Sequence, residues 1–76
     1  MNNKECCFVT YIDVIGLVKE AAMDNDFIVS EVKPIDDKFK ACHVWMVDEG
    51  ASDTALTRAV YLGMRVKNIE YCRHLK

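Results

Sequence analysis

The chain has 76 residues, 51% of them hydrophobic, and a formal net charge of −2. That length allows one domain, near the lower limit of what a single core sustains, and so small a body cannot bury all of its apolar surface. The mildly acidic balance excludes a general attraction to nucleic acid or anionic membranes.

The first strand is expected over Lys4 to Val9, with Cys6 and Phe8 on one face and Cys7 and Val9 on the other. Thr10 followed by Asp13 resembles a capping box, and Val9 and Val14 sit where a hydrophobic staple would place them. The helix that follows, about Tyr11 to Asp24, carries Tyr11, Val14, Ile15, Val18, Ala21 and Ala22 at helical spacing. Gly16 costs it about 1 kcal/mol against alanine. A second boundary fits as well, with the strand lengthened to Ile12 and the helix beginning at Asp13.

Asp24-Asn25-Asp26 breaks this helix, and Phe27 to Lys33 reads as a second strand. Pro34, without an amide donor, marks the strand's end or an edge position. Asp36 and Asp37 form a turn into Lys38 to Val47, the segment with the strongest strand character. There Phe39, Ala41, His43, Trp45 and Val47 point one way, and Cys42, Val44 and Met46 the other. Apolar residues on both sides require cover on both sides, which places this strand inside the sheet.

Ser52 or Asp53 caps a second helix with Leu56, Ala59, Val60 and Met64 in its stripe and Ala55 and Leu62 flanking it. Gly63 suits a left-handed C-cap. A last strand is expected over Val66 to Arg73, with Ile69 and Tyr71 on its apolar face. The order strand, helix, strand, strand, helix, strand gives an α+β fold. It predicts a four-stranded antiparallel sheet with two helices on one face, a ferredoxin-like βαββαβ arrangement. A meander in which the fourth strand pairs elsewhere is the alternative. Either leaves one sheet face open, bearing Trp45 or its opposite-face neighbour Met46.

Candidate chemistry is sparse. Cys6, Cys7, Cys42, His43, Cys72 and His74 are soft ligands, but no C-x₂-C pair marks a zinc site, so no metal or other cofactor is expected. Cys72 and His74 share a strand face without a third group to orient a base, and no catalytic residue is assigned. The acids cluster in turns, which they initiate. The strand Lys40 to Val47 has one ring, Trp45, where RNA-recognition sheets present paired aromatics.

The first residues make a poor export signal, and no apolar run reaches the length of a membrane span. Four reduced cysteines in a cytoplasmic protein follow. The excess of apolar residues points to a non-enzymatic module that binds another protein and forms a homodimer through its open face. Its expected contacts are Trp45 and Met46 on the sheet and Arg58, Tyr61 and Arg65 on the outward face of the second helix. Small accessory or inhibitory proteins of phages and mobile elements have this profile. Two alternatives stand beside it: a nucleic-acid-binding regulator using Arg65, Lys67, Arg73 and Lys76 of a basic carboxyl-terminal strand, and a small thiol or zinc protein.

Overall fold

The computed structural model describes residues 5–38 and 40–73 and builds three strands and two helices. The strands are β1 (Glu5–Tyr11), β2 (Phe27–Asp36) and β3 (Ala41–Asp48). Helix α1 (Ile15–Asp24) follows a 3₁₀ turn at Ile12–Val14, and helix α2 (Ala55–Arg73) follows a 3₁₀ turn at Ser52–Thr54. The sheet order is β1-β3-β2, antiparallel throughout.

The α+β class holds, and the four-stranded sheet does not. Residues 66–73, expected as a fourth strand, complete α2 instead. Leu62 and Val66 are buried and Ile69 packs against the same core, a spacing of four and three that only a helix brings to one face. Tyr71, assigned to the same strand face as Ile69, is 66% exposed. Gly63 is therefore no C-cap. It sits inside α2 without a positive φ. The ferredoxin-like order loses its fourth strand, and β1 becomes an edge.

The β3 assignment keeps its central place. Cys42, Val44, Met46 and Asp48 are buried on the side the helices cover, and Ala41, His43, Trp45 and Val47 are partly exposed on the other. Val18, Ala21 and Ala22 of α1 and Leu62 and Val66 of α2 close over this side, with Phe27 at one end. The small alanines let α1 approach the sheet closely. Burying a side chain the size of Met46 or Leu62, each 0% exposed, stabilises the fold by roughly 2–3 kcal/mol.

Several boundaries differ from the sequence reading: β3 begins at Ala41 rather than Lys38 and ends at Asp48 rather than Val47. β1 runs through Thr10 to Tyr11, so the capping box does not form: Tyr11 precedes the 3₁₀ turn, and no side chain caps it. The buried Thr10 hydroxyl has no hydrogen-bond partner. β2 continues past Pro34 to Asp36, with register breaks between Val29 and Glu31 and between Pro34 and Asp36. Proline survives there because β2 is an edge strand. Phe39 lies outside the described residues.

Candidate interaction surface

The face of the sheet away from the helices is built by register. β1 sets Glu5 against Val47, Cys7 against Trp45 and Val9 against His43. β2 sets Ile28 against Val47, Glu31 against Trp45 and Lys33 against His43. Side chains directly opposite in an antiparallel pair share a face, so Trp45 stands at the middle of a three-strand platform. Val9 and Ile28 on that platform are 56% and 48% exposed.

The tryptophan is held from several sides. The His43 ring lies 5.2 Å away, tilted by 41°. Lys33 Nζ is 5.9 Å from the indole centroid and 3.6 Å from Glu31 Oε2. The register break at Ser30 allows the Ser30 hydroxyl to donate to the Trp45 carbonyl at 3.2 Å. A bulge of this kind increases local twist and re-aims side chains. Cys7 Sγ lies 3.5 Å from His43 Nδ1, a thiol–imidazole pair that the spacing of Cys72 and His74 did not foreshadow.

Of the expected contacts, Trp45 alone belongs to this platform. Met46 is fully buried beneath the helices, because one step along a strand reverses the face. Arg58 is also a correction. Its side chain is only 12% exposed and turns inward to Asp48, itself 3% exposed. Its two terminal nitrogens donate to the two carboxylate oxygens at 2.6 and 3.2 Å, and one also donates to the Asn25 carbonyl at 3.1 Å. The guanidinium lies 5.4 Å from the Phe27 ring centroid. Arg58 is a clamp joining α2 to the end of β3. Hydrogen bonding to Asp48 raises its pKa further. The signal was legible in part: Asp48 continues the alternation of Cys42, Val44 and Met46 toward the core, and a buried acid requires a cation.

Tyr61 is 57% exposed on α2, away from the open sheet face. Arg65 pairs with Asp24 of α1 at 2.8 Å. Arg73 donates from Nε to both Asp13 carboxylate oxygens at 2.8 and 2.9 Å and stacks 4.1 Å from the Tyr11 ring centroid. The basic segment is thus helical, and two of its cations already face acids. Lys67 is exposed; Lys76 lies outside the described residues. The hydrogen bond from Arg73 holds the Asp13 carboxyl below the usual aspartate range.

The cysteines separate by face. Cys42 is buried and Cys6 half-buried on the helix side, and burial pushes both thiols up; Cys7 and Cys72 are exposed. Among the described residues no three of His, Cys, Asp and Glu gather where an ion could be held. His74 lies outside them. No described helix is long and apolar enough to cross a membrane. No protein-family model, curated protein or solved structure matches the chain.

Proposed function

We propose that the protein is a non-enzymatic binding module that docks an apolar surface of another protein on the open face of its sheet, with Trp45 as the anchor. The observation that supports this is an aromatic ring at the centre of an uncovered strand, braced by His43 and Lys33 and flanked by exposed Val9 and Ile28. Tryptophan is enriched among the residues that dominate protein interfaces, and a braced ring loses little freedom on binding. The alternating Glu31 and Lys33 at the margin give the platform a polar rim that suits a protein partner better than a polyanion. The pairing of Arg65 and Arg73 with acids argues in the same direction. A cytoplasmic setting, where thiols stay reduced, suits the exposed Cys7.

The test is capture from the source cell with the wild-type chain and with Trp45→Glu, followed by titration of the purified captured protein. The expected result is direct binding that shifts Trp45 fluorescence and weakens at least about tenfold in Trp45→Glu, since a charge would be left in an apolar contact. Binding that is indifferent to Trp45, or capture of nucleic acid with affinity falling steeply in salt, would contradict the proposal.

A further inference from the structure

Among the described residues no fourth strand covers β1, which leaves a specific row of its backbone groups without a partner strand. The Ile12 amide donates to the Lys40 carbonyl at 2.8 Å, and β1 pairs with β3 without a register break. Antiparallel residues alternate between bonding the neighbouring strand and facing away from it. Cys6, Phe8 and Thr10 therefore bond β3, whereas Glu5, Cys7, Val9 and Tyr11 turn their N–H and C=O groups to the outer edge. The other side of β3 agrees in phase: the Glu49 amide donates to the Asp26 carbonyl at 2.8 Å, which gives the odd-numbered residues of β3 to β2 and the even-numbered ones to β1.

Above this edge lies α2. Ala55 and Ala59 border Cys6, Gly63 lies over Phe8, and Arg73 lies over Tyr11, so α2 runs alongside β1 in the same direction. Leu56, Val60 and Met64 form a stripe on it, 79%, 54% and 62% exposed. Val60 and Met64 line an open groove of about 710 Å³ with Phe8 and Val9.

We infer that this edge is the seam of a homodimer, in which β1 pairs antiparallel with β1 of a second copy about a two-fold axis at Phe8. This register pairs Cys7 with Val9 of the second copy and Glu5 with Tyr11, and it satisfies every outward backbone group of β1. Moving the axis to Cys7 or Val9 leaves Tyr11 or Glu5 unmatched. Charge favours the same register. Glu5 comes to lie opposite the Tyr11 whose ring carries Arg73, placing a second acid, after Asp13, beside that guanidinium. The axis also makes the two α2 helices antiparallel, so their exposed stripes meet and their dipoles oppose. The product is one continuous six-stranded sheet, whose two Trp45 faces lie on the same side. An exposed strand edge invites such pairing, and isologous contacts close it.

Sedimentation velocity over a concentration series tests the seam. The expected species is twice the 8.7 kDa chain mass. Val9→Pro removes an amide that bonds nothing within the monomer, so it is expected to leave the circular dichroism spectrum native and give a monomer. Met64→Glu, altering a side chain already in solvent, is expected to weaken the dimer at least about tenfold, because it would bury an acid beside its own copy. Trp45→Glu is expected to leave the dimer intact, which separates the seam from the open-face reading. A wild-type chain monomeric throughout, a dimer that survives both Val9→Pro and Met64→Glu, or one that dissociates in Trp45→Glu would overturn the inference. So would protection of the Cys7 and Val9 amides appearing only when a different protein is added.

Discussion

Gly63→Ala decides between a helix and a helix-end turn by the sign of its effect. Glycine inside a helix is about 0.8–1.0 kcal/mol less favourable than alanine. An added Cβ at Gly63 would meet Phe8 Cε1 at 3.7 Å, an ordinary van der Waals contact. Nothing subtracts from the propensity gain, so the substitution should stabilise by about 1 kcal/mol and raise Tm by about 4–8 °C in a domain of this size. A left-handed glycine ending the helix would respond in the opposite direction, because alanine is strained at positive φ. Two other glycines calibrate the measurement. At Gly16 an added Cβ has nothing within 4 Å, and the substitution should also stabilise. At Gly50 it would meet Arg58 Cζ at 2.8 Å and Asp26 Cβ at 2.9 Å, so Gly50→Ala must displace the clamp and destabilise. Urea unfolding followed by far-UV circular dichroism, at one protein concentration, gives all three. A fall in midpoint for Gly63→Ala would refute the continuous α2.

Asp48→Ala leaves the Arg58 guanidinium in place without its carboxylate. Its urea midpoint should fall by more than any of the three glycine substitutions moves it, since breaking a buried pair strands the remaining charge. In the native protein Cys7 and Cys72 should react with a thiol reagent well before Cys6 and Cys42, whose thiols are shielded and raised by burial; equal rates before unfolding would contradict the assignment of faces. The Asp13 carboxyl should titrate below ordinary aspartate in an NMR series. A folded pKa below the unfolded one means that the Asp13–Arg73 contact stabilises fully above the unfolded value and is lost as pH falls through the folded value. Arg73→Gln should return Asp13 to the ordinary range and remove this acid sensitivity.

The interior strand was the most legible part of the fold, because the alternation of Cys42, Val44 and Met46 against Ala41, His43, Trp45 and Val47 has a period that no helix shares. The helix α1 was legible from its apolar spacing, and of its two possible starts the structure sides with the later one: Thr10 has the chemistry of a cap, yet the ladder with Cys42 holds it in β1, and the helical turn begins at Ile12. The last third was misread at Gly63. Glycine ends helices often enough to suggest a boundary, and the five residues from Asn68 to Cys72 are too few to tell alternation from a helical period. The longer interval from Leu62 through Val66 to Ile69 carries the helical signal, and it spans the glycine. For the candidate surface, Trp45 was legible because the β3 pattern gives it a face. The burial of Met46 was not, and that of Arg58 only in part. Which face the helices cover is decided by connections, and the inward turn of Arg58 is decided by Asp48, ten residues away and on another element.

Backbone amide exchange, measured by NMR on the chain diluted until it is monomeric, tests the three-stranded sheet most directly. The account predicts slow exchange at Cys6, Phe8 and Thr10, which bond β3, and fast exchange at Cys7 and Val9, whose amides face the open edge. Slow exchange at Cys7 and Val9 in the dilute monomer would mean that a fourth strand of the same chain pairs with β1, and would contradict the account.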